Sequence, residues 1–342
     1  MKIGITFDLK HDEPLPAGAP DDLYEEFDDP KTVAAIAAAL KELGHTPVEL
    51  GNGKAMIEKL LADPAELVFN FAEGQGISRS REARVPAVLE TLGIPYTGSD
   101  PATLAVCLDK DWARRIVQSA GLAVPHAMTI SFGSQKPPDL ARLGDVLAES
   151  GLELPVIAKP TCEGSSKGVR SKSLIEDAAE FGSTVYELWQ SYRQPILVEE
   201  FIDGKELTVG IVGNDPPKVL GIMQVKPRQP TKHFIYSIEV KRNYKEMATY
   251  ECPAKLPEEE LTAVEEAALA AFEVLGCRDV ARIDFRLRDG VPYFIEANPL
   301  PGLSPISGDI VWIAGFMKVS HQELVGRIVD AALTRIGMKG RV

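Results

Sequence analysis

Short apolar runs alternate with amphipathic helical stretches through the first hundred residues of this chain. The runs are brief and bounded by polar residues, which is typical of buried parallel strands. Asp29 and Pro30 form a cap and first turn for the helix between the first two runs. The alternation predicts a parallel sheet in an α/β domain. Its strands are expected at residues 2–7, 47–50 and 67–71.

The pattern changes near residue 196, where β-rich runs are separated by turn dipeptides such as Asp289-Gly290. This pattern predicts an antiparallel sheet with helices on it, an α+β arrangement. Before the change, one helix is predicted over residues 101–118 and a strand over 155–159. We therefore divide the chain into an N-terminal α/β domain, a central subdomain and a C-terminal subdomain, spanning residues 1–105, 106–195 and 196–342.

The overall charge limits the partners of the protein. The chain has 37 Lys and Arg residues against 50 Asp and Glu residues, a net charge of −13. Such acidity argues against nucleic-acid and membrane partners, because phosphate neutralisation needs a basic surface. Four cysteines without a CxxC pair indicate a reducing compartment. No apolar run approaches the ~20 residues that span a bilayer, so we expect a cytoplasmic protein.

The acidity is concentrated near the N-terminus. Between Asp8 and Asp29 the chain has nine carboxylates and one cation, Lys10. A charge run of this kind is usually a solvated loop, and this is the interpretation that composition favours.

The most specific constellation lies near the C-terminus. Arg282 and Asp284 are two apart on one predicted strand, and Glu296 and Asn298 are two apart on the next. Residues two apart share a strand face, and a hairpin through Asp289-Gly290 would bring the four together. Two carboxylates and an amide oxygen form a hard-oxygen site suited to Mg²⁺ against phosphate oxygens. The alternative is a surface hairpin with solvated acids.

A Gly/Ser loop follows the predicted strand at 155–159. Lys159 ends that strand, and the loop Glu163-Gly164-Ser165-Ser166-Lys167-Gly168 comes directly after it. Glycines let a backbone approach a ligand closely, and successive N–H groups with two hydroxyls can cradle phosphate oxygens. A flexible solvent loop is the alternative interpretation.

Five segments together resemble the D-alanine–D-alanine ligases of the ATP-grasp superfamily. They occur in the order of that family: LGIPYTGSDPATLAVCLDK (92–110), KPTCEGSSKG (159–168), ILVEEFIDGKELTVGI (196–211), ARIDF (281–285) and IEANPLPGLSPIS (295–307). The resemblance implies an ATP-grasp fold preceded by an α/β domain. It also implies ATP held between two subdomains, phosphoryl transfer to a substrate carboxylate, and attack of an amine on the resulting acyl phosphate.

The resemblance assigns roles to residues that match the family's motifs. Asp284, Glu296 and Asn298 would hold two Mg²⁺ ions, with Mn²⁺ as the alternative metal. Arg282 and the backbone at Gly302 would stabilise the tetrahedral intermediate, and Ser307 would grip the carboxylate of the attacking amino acid. The residues expected at ATP are Lys110, Lys159, Ser165, Ser166, Glu199, Ile202 and Glu206, with the loop at Ser165 closing over the phosphates.

Two assignments stay open at this level. The lysine reaching the γ-phosphate matches Lys241 if one residue is inserted and Arg242 if none is, and we prefer Lys241. The family's Glu that binds the ammonium of the first D-alanine aligns with Glu25, although Glu26 or Asp28 could serve.

The sequence also departs from the family around the first substrate. The family's N-terminal signature is missing, and its His-Gly and Glu-Asp-Gly are replaced by Ala72-Glu73-Gly74 and by the basic run from Arg79 to Arg84. We favour a solvated helix start for this run. The alternative is recognition of an extra substrate carboxylate.

Three hypotheses follow. The first is synthesis of D-alanyl-D-alanine for the peptidoglycan of the cell wall. The second is a ligase of the same mechanism with a different first substrate. The third is a non-catalytic nucleotide-binding module, which the intact set of Arg282, Asp284, Glu296 and Asn298 disfavours. The expected partners are ATP and small amino acids, and the family resemblance implies a homodimer.

Overall fold

The structure is a computed structural model that describes residues 1–10, 14–132 and 140–338. Three sheets organise the described chain. In the parts of the chain that the structure describes, no helix combines the length and apolar character that a membrane crossing requires.

The N-terminal unit is a three-stranded parallel sheet of order β2-β1-β3, as predicted. Its strands and helices are β1 (Lys2–Thr6), α1 (Pro30–Glu42), β2 (Thr46–Glu49), α2 (Gly53–Ala62), β3 (Leu67–Asn70) and α3 (Arg84–Leu92). The α1 helix begins as the sequence predicts, because the Asp29 carboxylate accepts a hydrogen bond from the Lys31 amide at 2.8 Å.

Two consecutive helices connect this unit to the rest of the chain. The single helix predicted over 101–118 is divided into α4 (Pro101–Leu108) and α5 (Lys110–Ser119). The division falls at Asp109, whose extended backbone ends α4 and whose side chain caps α5 by accepting from the Trp112 amide. As a result Lys110 lies in the first turn of α5, where its side chain is buried.

The central unit is a four-stranded antiparallel sheet of order β4-β7-β5-β6. Its elements are β4 (Ala127–Ile130), α6 (Leu140–Glu149), β5 (Val156–Pro160), a 3-10 turn (Ser171–Ser173), β6 (Leu174–Ile175), α7 (Ala178–Tyr192) and β7 (Ile196–Glu200). Because β7 pairs with both β4 and β5, this strand belongs to the central sheet.

The C-terminal unit is a five-stranded antiparallel sheet of order β10-β9-β8-β11-β12. Its elements are β8 (Lys205–Val212), β9 (Lys218–Pro227), α8 (Ile238–Arg242), α9 (Tyr244–Met247), β10 (Ala248–Glu251), α10 (Glu258–Val274), β11 (Val280–Arg288), β12 (Val291–Asn298), α11 (Asp309–Phe316) and α12 (His321–Arg335).

The cores join these units. Cys107, Ala113 and Val117 of the connecting helices are buried in one cluster with Ile283 and Phe285 of β11. A second cluster joins the N-terminal sheet with α11 and α12. Burial of this apolar surface fixes the N-terminal unit and the connecting helices against the C-terminal sheet.

Candidate active site

The hairpin of β11 and β12 gathers the residues that the sequence singled out. Asp289 and Gly290 turn the chain with positive φ angles of 52° and 76°, the backbone that a tight hairpin turn requires. The resulting register places Asp284 opposite Glu296, and Arg282 opposite Asn298. The predicted convergence of these side chains is confirmed, and both strands are held in a larger sheet rather than exposed as an isolated hairpin.

Arg282 is the centre of this cluster. One guanidinium nitrogen lies 2.9 Å from Asp284 Oδ2 and 3.4 Å from Glu296 Oε1. The other lies 2.9 Å from Oδ2 of Asp309, the first residue of α11. Sequence reasoning missed Asp309, because the helix that carries it has no motif of its own. The side chains of Arg282 and its three partners are largely buried, so their charges are weakly screened.

The carboxylates of this cluster could bind a divalent cation. Asp284 Oδ1 is buried and has no hydrogen-bond partner among the described residues. Burial raises the pKa of Asp284 to about 7, although Arg282 opposes the shift. Asn298 Nδ2 lies 3.4 Å from both Asp284 Oδ2 and Glu296 Oε1. Two carboxylates on facing strands, one of them with a buried oxygen that has no partner among the described residues, fit a divalent cation such as Mg²⁺.

A cavity between the central and C-terminal sheets is lined by four lysines, and we call it the lysine cavity. Its walls bring together nine of the residues predicted for ATP, metal or catalysis, from both sheets and from the connecting helix α5. These nine are Lys110, Lys159, Ser166, Glu199, Ile202, Glu206, Lys241, Asp284 and Glu296, and Lys167 is the fourth lysine.

Several polar side chains of the lysine cavity are paired with one another. Lys159 Nζ lies 2.6 Å from Glu199 Oε1. Glu206 Oε2 lies 3.1 Å from Arg286, and burial raises the pKa of Glu206 despite this partner. Five cations, the four lysines and Arg286, thus share the cavity with six carboxylates. A polyanionic ligand there would contact the lysine ammonium groups, and a divalent cation would offset the carboxylates.

The side chains of Lys241 and Arg242 lie in different places. Lys241 lines the lysine cavity, and its Nζ lies 4.9 Å from the centre of the Tyr236 ring. Arg242 instead binds Asp21 at 2.8 Å and Glu25 at 3.0 Å. Arg242 is therefore occupied by the N-terminal unit and is not among the residues lining the cavity.

A second cavity lies on the N-terminal side of the hairpin, and we call it the acidic cavity. Ser165, Arg282, Asn298 and Gly302 line it. So do six carboxylates: Glu26, Asp28, Glu73, Glu82, Glu163 and Glu296. Both cavities are bounded by Lys110, Glu163 and Glu296.

Lys110 connects the two cavities electrostatically. Its ammonium lies 3.2 Å from Glu296 Oε2 and donates a hydrogen bond to the Glu163 carbonyl oxygen. Burial raises the pKa of Glu296, but Lys110 and Arg282 outweigh it and hold that pKa well below its usual range. Glu296 is therefore a charged carboxylate at the junction of both cavities.

Comparison with known proteins gives a consistent answer. The model of the family described as "D-ala D-ala ligase C-terminus" matches residues 116–330, more than half of the chain. The chain belongs to the D-alanine–D-alanine ligase family. A D-alanine–D-alanine ligase of Aquifex aeolicus is 34% identical over 81% of this chain and 86% of that protein. An uncharacterized protein of Sinorhizobium fredii, y4sG, is 31% identical over 88% of this chain and 87% of that protein.

Solved structures agree on the fold. The crystal structure of the D-alanine–D-alanine ligase of Bacillus anthracis has a TM-score of 0.74 and 22% identity, covering 99% of this chain and 100% of that one. The predicted ATP-grasp fold with an N-terminal α/β domain is confirmed, and so is the predicted class, an ATP-dependent ligase of this family.

This family member differs from the sequence expectation in its acidic segment, by which we mean residues 14–29. Asp22 and Glu26 are buried, not solvated. Asp22 accepts hydrogen bonds from Tyr192 Oη at 2.7 Å and from the Gly168 amide at 3.0 Å. Glu26 accepts from the Gly164 amide, and a Cβ at Gly164 would lie only 2.9 Å from Glu26 Oε1. The segment therefore binds both ends of the Gly/Ser loop.

The basic run from Arg79 to Arg84 also differs from its expected role. Arg81 is 1% exposed, its guanidinium lies 2.8 Å from Glu26, and it donates to the Cys162 carbonyl at 2.7 Å. A solvated helix start is therefore wrong for Arg81, while Arg79 and Arg84 are exposed as expected. Arg81 joins the N-terminal unit to the Gly/Ser loop, and no local pattern could identify a partner 55 residues away.

Two predicted substrate residues lie outside both cavities. Glu25 pairs with Arg242 and does not line the acidic cavity, whereas Glu26 and Asp28 do. Of the three candidates for the ammonium ligand, two thus line this cavity, and the choice among them stays a prediction. Ser307 is exposed, and its hydroxyl hydrogen-bonds Ser304 at 3.2 Å instead of facing the acidic cavity.

Proposed function

We propose that this protein joins two amino acids by activating the carboxylate of one with ATP, through an acyl phosphate that the amine of the other attacks. The products are a dipeptide, ADP and phosphate. The observation that carries the proposal is the hairpin cluster of Arg282, Asp284 and Glu296 at the junction of a lysine-lined cavity and a carboxylate-lined cavity. One cavity suits a polyphosphate, and the other suits an amino acid.

The lysine cavity would hold ATP. Lys110 and Lys159 would neutralise phosphate oxygens, and the hydroxyls of Ser165 and Ser166 lie on the loop that would close over them. Ser165 and Ser166 have positive φ angles of 50° and 59°, a conformation that turns successive backbone groups toward one point. Glu199, Ile202 and Glu206 line the other side of the cavity and would contact the nucleoside.

The hairpin would position the transferred group. Asp284, Glu296 and Asn298 would hold Mg²⁺ against the phosphates, and the metal would supply neutralisation of the phosphate charge. Arg282 and Gly302 line the acidic cavity, where they would stabilise negative charge on the reacting carboxylate. Lys241 would bind the γ-phosphate from the opposite wall. No side-chain nucleophile is needed, because the phosphoryl group itself activates the carboxylate.

The test is a continuous assay of ADP and phosphate release by the purified protein with ATP, Mg²⁺ and a panel of D- and L-amino acids. We expect release that depends on the amino acids. Glu296→Gln should lower it at least 100-fold at a temperature where the melting curve shows the variant folded, because it removes a metal ligand and a partner of Lys110. Glu265→Gln on the exposed face of α10 is the matched control, with activity unchanged.

Two results would reject the proposal: no amino-acid-dependent release anywhere in the panel, or full activity of Glu296→Gln. D-alanine alone tests the narrower substrate, since a D-alanyl-D-alanine ligase should release phosphate with D-alanine as both substrates. Light scattering on the same preparation tests the homodimer that the family resemblance implies.

A further inference from the structure

The six carboxylates of the acidic cavity fall into two groups of three. Glu26, Glu163 and Glu296 each have a cation within ion-pair distance. Glu26 pairs with Arg81 and Lys167, Glu163 with Lys167 at 2.5 Å, and Glu296 with Lys110 at 3.2 Å. The charges of these three are balanced by the protein itself.

Asp28, Glu73 and Glu82 form the second group. None of them has a side-chain hydrogen bond or an ion pair with any described residue, although all three line the same cavity. Glu82 is only 7% exposed. Burying an ionised carboxylate without a partner is unfavourable, so a protein normally pairs it or removes it. Glu82 is buried, and Asp28 and Glu73 are part-buried. Ionisation of these three carboxyl groups in one ligand cavity would be favoured by a ligand that brings positive charge to them.

Electrostatic effects agree with this geometry. Burial raises the pKa of Glu82 to about 7, and neighbouring Glu26 adds to the shift although Arg81 opposes it. Burial, together with Glu82 and Glu26, raises the pKa of Glu73 well above its usual range. Burial and Asp8 raise the pKa of Asp28 to about 7, with exposed Lys10 as the opposing cation. A bound cation would relieve all three.

A metal ion does not account for the second group. Within residues 1–10, 14–132 and 140–338, no three His, Cys, Asp or Glu side chains are placed to hold one metal ion together. Carboxylates that surround a cavity without converging on a point fit separate ammonium groups of an organic ligand. One α-ammonium could satisfy one or two of them, which leaves negative charge for a second.

We propose that the acidic cavity binds an amino acid with two ammonium groups, a diamino acid, whose carboxylate faces Arg282. This inference rests on the proposed ligase function for the identity of the cavity as an amino-acid site. Glu73, Glu82 and Asp28 determine specificity by contacting the two ammonium groups. The number of unpaired carboxyl groups supports a second ammonium, since a zwitterion brings no net positive charge to the cavity and a diamino acid brings one.

The direct test is titration calorimetry of the full chain at pH 8 with the D- and L-enantiomers of ornithine and of norvaline. The two have the same carbon skeleton and differ in the terminal ammonium. We expect one enantiomer of ornithine to bind at least tenfold more tightly than either enantiomer of norvaline. Equal affinity for norvaline, or no binding of ornithine, overturns the inference.

Single substitutions test which carboxylates produce the preference for ornithine. Glu82→Gln and Glu73→Gln should each weaken ornithine binding at least tenfold, while Glu265→Gln does not. A variant that removes a partner of the terminal ammonium should leave norvaline binding unchanged, whereas one that removes a partner of the α-ammonium should weaken both ligands. Glu73→Asp keeps the charge and should keep most of the preference, which separates charge from a general disturbance of the fold. An unaltered preference in both Gln variants overturns the assignment.

The assay for the ligase reaction separates the two proposals. Ornithine binding without phosphate release from any amino-acid pair would reject the ligase proposal and leave the charge inference standing. Phosphate release that is as fast with norvaline as with ornithine would reject the inference and leave the ligase standing.

Discussion

The β11–β12 hairpin and the acidic segment both bury carboxylates beside an arginine, but they place them by different means. In the hairpin, Asp284 lies two residues from Arg282, and Glu296 lies fourteen residues from it across a regular register. In the acidic segment, the partners of Asp22 and Glu26 lie 55 to 170 residues away along the chain. The first arrangement follows from strand geometry, and the second exists only when three units have assembled.

Mutations in the two regions should have different effects on activity and stability. Breaking the hairpin cluster should mainly affect chemistry, because β11 is paired on both sides, with β8 and β12, in a five-stranded sheet whose edge strand is β12. Breaking the acidic segment should mainly affect stability, because its buried ion pairs connect separate units. Four predictions test this contrast.

The largest effect is expected for Glu26→Gln, which leaves Arg81 and Lys167 buried with less negative charge. Removing one partner of a buried ion pair costs roughly 3–5 kcal/mol of unfolding free energy. Glu25→Gln is the matched control, since Glu25 is part-exposed and its pair with Arg242 should contribute about 1 kcal/mol or less. Urea unfolding of both variants measures the difference, and equal losses would contradict the distinction between the two neighbours.

Arg282→Lys tests the hairpin. Lysine keeps the charge but cannot bridge Asp284, Glu296 and Asp309 at once. We expect kcat to fall by roughly 10²–10³-fold, as for loss of a transition-state donor, with little change in the KM for ATP. Steady-state kinetics of phosphate release measure this, and an equal rise in the KM for ATP with unchanged kcat would assign Arg282 to nucleotide binding instead.

Glu82→Gln tests the unpaired carboxylates through the pH dependence of stability. Because the folded pKa of Glu82 is raised to about 7, the folded state holds a proton that the unfolded state loses above about pH 4.5. The wild-type protein therefore loses stability as pH rises from 4.5 to 7, whereas the variant lacks this contribution. Relative to wild type, Glu82→Gln should gain roughly 2–3 kcal/mol between pH 4.5 and 8. Thermal melting at both pH values checks the sign, and a constant difference would contradict it.

The smallest effect separates Lys241 from Arg242. Lys241→Gln should raise the KM for ATP about tenfold, equivalent to roughly 1.4 kcal/mol, because its ammonium lines the lysine cavity. Arg242→Gln should change that KM less than about threefold, and its effect should appear with Glu25→Gln in a double-mutant cycle of stability. A larger rise in the KM for ATP in Arg242→Gln than in Lys241→Gln would assign the γ-phosphate contact to Arg242 instead.

The sequence predicts what depends on local spacing. The parallel N-terminal sheet, the hairpin at Asp289-Gly290 and the set of Arg282, Asp284, Glu296 and Asn298 all follow from residue periodicity and turn chemistry. Periodicity and turn chemistry did not show that β7 belongs to the central sheet, because the partner of a strand depends on which sheet edge the fold brings beside it. The family resemblance added residues such as Lys110, whose position depends on the break at Asp109.

The charge run at the N-terminus shows the limit of such reasoning. Nine carboxylates in a short stretch resemble a solvated loop, and the burial of Asp22 and Glu26 depends on Tyr192, Gly168 and Arg81, which no local window contains. The lack of a cation partner for Glu82 among the described residues could not be predicted either, because the sequence shows which charges exist but not which of them are paired.

The attachment of the acidic segment to the Gly/Ser loop has a consequence for recombination of this family. If the first domain is exchanged for that of a relative while the Gly/Ser loop is kept, Arg170 and Lys167 lose the carboxylates of Asp22 and Glu26 unless the incoming domain places equivalent ones there. A functional chimera would therefore have to take the acidic segment and the Gly/Ser loop from the same parent, although more than a hundred residues separate the two in the chain.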